Sequence, residues 1–135
     1  MKKSLTYSYV AGLFDGEGSV TLTKKRKTDE FRTVVVSMSS TSIELLAFLR
    51  NEFGGCIVRN KKYKPHHKDS WSWSLERRRA LCFLNKIIPY MIEKSKLKRS
   101  KLAVSKYEKV TPRNGRYSDK LRDAKMKFEK DFFAS

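Results

Sequence analysis

The sequence predicts an α+β domain in which a four-stranded antiparallel sheet carries helices on one face, in the order αββαββα with further helices at the C-terminus. Three observations predict it. Segments that alternate with period two come in pairs, each pair follows a helical run, and glycine or turn residues separate the pieces. The 135 residues suffice for one domain with a real core, and there is no linker, low-complexity tract or internal repeat.

The first helix is expected over residues 5–15, a run of small and apolar residues ending at Asp15-Gly16-Glu17-Gly18. Gly16 and Gly18 are expected to take backbone angles closed to other residues, to stop the helix and to present Glu17 at its end. Ala11 and Gly12 have almost no side chain, so a second helix could approach closely there, while Leu13 and Phe14 pack into the chain's own core. Two such helices about a two-fold axis would bring two Glu17 carboxylates together, an arrangement that needs a cation between them. Alone, Asp-Gly-Glu-Gly reads more readily as an ordinary helix C-cap followed by a solvated glutamate.

Residues 19–25 alternate as a strand, with Val20 and Leu22 on one face and Thr21, Thr23 and Lys25 on the other. After a turn at Lys27-Thr28-Asp29-Glu30, residues 31–39 return as a strand that includes Thr33, its parity hidden by Val34-Val35-Val36. Thr41 or Ser42 caps a helix over 43–53, whose apolar stripe is Leu45, Leu46, Phe48 and Leu49 and which Gly54-Gly55 ends. A second hairpin pairs 56–62 with 70–75, where Ser70, Ser72 and Ser74 alternate against Trp71, Trp73 and Leu75, so the tryptophans read as core. Arg59 and Lys61 share the parity of Ile57 and Tyr63 and are expected to face a bound polymer. Helices over 77–91, 95–110 and 118–133 complete the chain.

Composition names the class of partner. The 31 Lys and Arg outnumber 14 Asp and Glu, for a net charge of +17 and a pI of about 10.1. A dimer would double that charge, which is unfavourable unless a polyanion offsets it, and nucleic acid is the simplest polyanion. An anionic membrane fits less well, because no segment approaches spanning length and basic residues also lie on strand-like segments. Met1-Lys2-Lys3 is not followed by an apolar stretch of signal type, so an intracellular location is expected, with organelle, bacterium and phage host undistinguished. Cys56 and Cys82 sit among apolar residues and are expected to be buried thiols in a reducing compartment. His66 and His67 are adjacent with no other ligands to complete a metal site, and read as phosphate contacts or loop polarity. The run Lys94, Lys96, Lys98, Arg99, Lys101 reads equally as a solvated helix face or a phosphate contact.

The string Val10-Ala11-Gly12-Leu13-Phe14-Asp15-Gly16-Glu17-Gly18 resembles the motif that names the LAGLIDADG homing endonucleases. The resemblance extends through Ser37-Met38-Ser39-Ser40, Ile43-Glu44-Leu45-Leu46-Ala47-Phe48-Leu49 and Phe53-Gly54-Gly55, which look like the family's second-helix segment. It continues through Trp73, Ala80-Leu81, Phe83-Leu84 and Ile88-Pro89-Tyr90 to Lys94, similar to the segment that ends in the family's active-site lysine. It covers roughly residues 7–105 of a single domain, and residues 111–135 are a C-terminal helical extension outside it.

The resemblance implies a saddle-shaped sheet lying in the DNA major groove, which is wide enough for a two-stranded ribbon. It implies a single-motif homodimer joined through Ala11, Gly12 and Asp15, with Glu17 and Lys94 catalytic and Mg²⁺ held by Glu17 and the backbone carbonyl of Asp15 or Gly16. Lys94 would stabilise charge developing on the phosphate. The DNA-facing residues would be Thr21, Thr23, Lys25, Thr33, Arg59, Lys61, Ser72 and Ser74. The activity implied is metal-dependent hydrolysis of both strands of a long, nearly palindromic double-stranded DNA target. Where family members often place Gln or Asn, and then Arg, near the second helix, this chain has Met38 and Ser42. Met38 cannot replace an amide's hydrogen bonds, so either Ser39, Ser40 or Thr41 organises solvent or the enzyme is slow. Two other readings remain open: an intron maturase binding structured RNA, and a non-catalytic DNA-binding regulator, which the retention of Glu17 disfavours.

Overall fold

In the computed structural model, which describes residues 2–62 and 64–135, four strands form one antiparallel sheet ordered β1-β2-β4-β3. They are β1 (Gly18–Thr23), β2 (Thr33–Ser40), β3 (Cys56–Arg59) and β4 (Trp71–Glu76). Helices α1 (Lys3–Glu17), α2 (Ile43–Phe53) and α3 (Arg77–Ile87) precede β1, separate the hairpins and follow β4, which reproduces the expected order. Then come α4 (Lys94–Lys106) and α5 (Asp119–Phe133).

Alternation decides which face of the sheet is covered. Val20, Leu22, Val34, Val36, Met38, Trp73 and Leu75 all point to the helical side and are buried. They meet Val10 and Phe14 of α1, Leu46 and Leu49 of α2, and Ala80, Phe83, Leu84 and Ile87 of α3. Trp73 satisfies its indole by donating Nε1–H to the Gly54 carbonyl at 2.8 Å. Ser42 caps α2, its hydroxyl accepting the Leu45 amide at 3.3 Å, and Gly54 and Gly55 end that helix at φ +80° and +100°.

Several expectations require correction. Gly16 stays helical and Gly18 is extended at φ −87°, so neither glycine is there for a left-handed backbone. A Cβ on Gly18 would instead run into the Phe14 ring, while one on Gly16 would meet nothing. Strand β3 stops at Arg59, so Lys61 lies in the following loop, and Tyr63 lies outside the described residues. The third helix ends at Ile87 because Pro89 cannot donate to the ladder, and the chain closes with a 3₁₀ turn over Ile88–Tyr90. Cys56 and Cys82 are both exposed, the first on the open face of the sheet. Met38 is core, so its side chain is directed away from the open face where a solvent network would form.

The C-terminal extension packs into the same core through Phe128 and Phe132, beside Tyr107. It also grips the first hairpin: the Glu129 carboxylate accepts the Arg32 amide at 2.9 Å and its guanidinium at 2.8 Å. One turn away Lys125 is buried, donating to Thr111 Oγ1 at 2.6 Å with its ammonium 4.2 Å from the Tyr107 ring centre. Burial pushes its pKa down from 10.5 to about 8, with the Glu129 charge acting in the opposite direction. Because the folded pKa is the lower one, the fold carries the full cost of this ammonium below about pH 8 and sheds it as pH rises toward 10.5. Lys125→Met, which keeps the volume and leaves Thr111 donating to the Tyr107 carbonyl, should raise the melting temperature at pH 7 by a few degrees. It should also flatten the rise of stability across that window; calorimetry from pH 7 to 10.5 showing parallel curves would refute the account.

Candidate active site and nucleic-acid interface

Helix α1 has two unlike faces. Val10, Ala11 and Phe14 are fully buried against the core, whereas Leu5, Tyr9, Gly12 and Gly16 are exposed in a stripe of helical spacing. A Cβ on Gly12 or Gly16 would meet no atom within 4 Å, so the helix backbone is open to approach there. Ala11 does not belong to that surface. Its small size suggests an interface beside Gly12, but a neighbour in a helix is turned by about 100° and Ala11 faces inward.

Glu17 is the last residue of α1 and is exposed, beside the start of β1. Asp15 is engaged within the chain: its Oδ2 accepts the Ile92 amide at 2.8 Å, while Oδ1 is buried with no partner among the described residues. The Asp15 carbonyl accepts from Lys96 Nζ at 2.7 Å, and the Phe14 carbonyl from the same ammonium at 3.1 Å. Asp15 is therefore withdrawn from both the metal set and the helix-pairing surface, leaving Glu17 and the Gly16 carbonyl. Lys94 opens α4, exposed and without a hydrogen bond or ion pair among the described residues. The lysine that reaches the acid-bearing turn is Lys96, a member of the same basic run as Lys94. One signal was available: the last turn of α1 has no basic residue of its own.

A hard divalent cation takes six or more oxygen ligands. Among the described residues no three His, Cys, Asp or Glu side chains stand together. Glu17 and the Gly16 carbonyl have the right chemistry, one carboxylate and one carbonyl oxygen, and fit such an ion as part of a set that water and phosphate oxygens would complete.

The sheet's other face is open and rich in hydroxyls. Across it run the rows Ser19, Ser37, Ser74, Cys56 and Ser39, Ser72, Val58, with Thr21 opposite Val35 and Thr23 opposite Thr33. Ser19 and Ser37 share a hydrogen bond of 3.0 Å, and Ser39 and Ser72 one of 2.6 Å. Thr21, Thr23, Thr33, Ser72 and Ser74 thus lie on one surface, as expected. Lys25 follows β1 and reaches back to Glu76 Oε1 at 2.9 Å.

Arg59 does not join them. It has the parity of Ile57, which pairs with core Trp73, so it leaves the sheet on the helical side. Its guanidinium pairs with Asp69 at 2.7 Å, and hydrogen bonds from Lys62 and Arg59 hold that carboxyl below its usual range. Arg59 shares the parity of Ile57 as expected, but that parity faces the helices and not the open side; Val58 is the residue of β3 that points outward with Cys56. The exposed cations instead collect at the ends of the sheet, with Lys24, Lys25, Arg26 and Lys27 in one hairpin loop and Lys61, Lys62, Lys64 and Lys68 in the other. Strand register puts these loops at opposite ends. The surface is a neutral, hydroxyl-bearing strip between two cationic ends.

No protein-family model and no curated protein matches the sequence. Among solved structures, the homing endonuclease I-CvuI in complex with its target superposes with a TM-score of 0.75 at 14% identity over 98% of this chain and 82% of that one. The LAGLIDADG homing endonuclease I-GzeII in complex with DNA gives 0.65 at 16% identity over 96% of this chain and 44% of that one. The archaeal intron-encoded homing endonuclease I-Vdi141I, complexed with DNA, gives 0.56 at 18% identity over 99% and 100% of the two chains. The chain has the LAGLIDADG homing endonuclease fold.

Proposed function

We propose that the protein is a homodimeric, Mg²⁺-dependent, site-specific DNA endonuclease that cuts both strands of a long, nearly palindromic target. The observation that carries this reading is the position of Glu17: exposed at the end of a helix whose outer stripe is bare at Gly12 and Gly16, and joined directly to the first strand of the open sheet. Pairing two α1 helices through that stripe makes an isologous contact and sets two acids side by side. Glu17 and the Gly16 carbonyl are the residues that would hold the metal. When bound, the ion supplies charge neutralisation at the scissile phosphate and a more acidic water.

The rest of the chain holds and reads the polymer. Hydroxyls of Thr21, Thr23, Thr33, Ser72 and Ser74 can exchange hydrogen bonds with base edges in the major groove, while the loop cations fix register on phosphates. Lys94, free at the start of α4, is available to a phosphate beside Glu17. The RNA-binding and regulator readings draw on no separate feature of the structure.

Glu17→Gln should abolish cleavage of a library of candidate sites in Mg²⁺ while leaving DNA binding nearly intact, because it removes the anionic ligand and keeps the shape. An active Glu17→Gln protein would remove the basis of the catalytic assignment. Gly12→Leu should fold normally, since the added side chain meets open space, yet yield monomers that neither bind nor cut a full-length target. Sedimentation of the wild type as a monomer that cuts both strands would contradict the paired arrangement. Finally, Thr21→Ala should relax preference at two symmetry-related base pairs by roughly 1–3 kcal/mol each. Arg59→Ala should leave the preference profile unchanged and at most lower the salt slope by about one unit per site. Profiling both variants on randomised half-sites checks this, and a base preference lost with Arg59 would reverse the face assignment.

A further inference from the structure

The C-terminal turn of a helix ends in carbonyls without intrahelical donors and carries partial negative charge. In α1 that turn is the one that ends at Glu17, and it contains no basic residue. Gly18 closes one bond to the Phe14 carbonyl, and the compensation comes from 80 residues away in sequence rather than from the next turn: Lys96 of α4 places its ammonium between the Phe14 and Asp15 carbonyls, at 3.1 and 2.7 Å, with sequence separations of 82 and 81. The lysine is itself fixed. Glu93 caps α4, its carboxylate accepting the Ser95 amide at 3.1 Å and the Lys96 amide at 2.6 Å. Beside it the Ile92 amide donates to Asp15 Oδ2 at 2.8 Å, so a main-chain and a side-chain donor at the start of α4 both hold the end of α1.

We propose that Lys96 is a positioning residue: by holding the last two carbonyls before Gly16, it sets where the Gly16 carbonyl and the Glu17 carboxylate stand. The proposal rests on the reading of Glu17 as a metal ligand. It assigns the two lysines separate duties, Lys94 being exposed and unpaired among the described residues while Lys96 is half-buried and committed to the protein. Removing the ammonium leaves the Asp15 carbonyl without a donor and the Phe14 carbonyl with the Gly18 amide alone, so the end of the turn opens more often.

The test uses Lys96→Met, which keeps the aliphatic stem, and Lys96→Arg, which keeps the charge and donors. Hydrogen exchange on the free protein should speed up about tenfold at the amides of residues 15–19 in Lys96→Met and change little elsewhere. Mn²⁺ affinity, read by electron paramagnetic resonance in the presence of target DNA, should fall about tenfold, DNA affinity without metal should stay within about twofold, and Lys96→Arg should recover most of both losses. Unchanged Mn²⁺ affinity in Lys96→Met, whatever the exchange, overturns the positioning role. If instead Glu17→Gln binds Mn²⁺ as the wild type does, the metal reading of Glu17 is what fails.

Discussion

The aromatic cluster around Phe83 is the contact on which the rest of the structure depends. Its ring meets Phe14 of α1 at 5.5 Å, Phe53 of α2 at 4.8 Å and Trp73 of β4 at 5.3 Å between centroids, each edge to face. Edge-to-face packing is directional as well as apolar, so it fixes how three helices stand on one sheet rather than merely gathering them. Phe14 also lies over Gly18, where a side chain would collide with it. The bend from α1 into β1 is thereby shaped by packing.

That constraint divides the molecule. Apart from Val35 and Val58, the apolar side chains of the sheet face the cluster, so the opposite face is left mostly to short polar residues, some of whose hydroxyls bond to one another across strands. Short side chains put the backbone near any bound polymer and make readout depend on close fit. Cations would interrupt this strip and repel one another across strands, whereas in the hairpin loops they project into solvent. The hydroxyls and the cations thus occupy different parts of the surface.

The C-terminal extension, which has no counterpart in the motif-bearing part of the chain, serves the first hairpin. Glu129 binds Arg32 through main chain and side chain, Arg122 pairs with Glu30 at 2.8 Å, and the rings of Phe31 and Tyr117 stand 4.7 Å apart. These contacts brace the base of the loop that holds Lys24 to Lys27. A buried ammonium at Lys125 is tolerated inside this brace because a hydroxyl and an aromatic face replace part of its hydration.

Local rules made the elements legible in sequence. The cap at Ser42, the glycine stop at Gly54-Gly55, the serine-tryptophan alternation of β4 and the order of helices and hairpins are short-range, and the structure contains each of them. The exposed acid at Glu17 was legible for the same reason. Facing was not. A β-branched run such as Val34-Val35-Val36 carries no parity, so only pairing with β1 and β4 shows that Val35 is outward and Met38 inward. A strand as short as β3 satisfies either face locally, and the packing of Ile57 beside Trp73 puts Arg59 on the helical side. Ala11 and Gly12 look alike to a rule about small residues, yet rotation about the helix axis buries one and bares the other. Lys94 and Lys96 are likewise two cations in one basic run until α4 is docked, because a bond to a carbonyl some 80 residues away leaves no local trace.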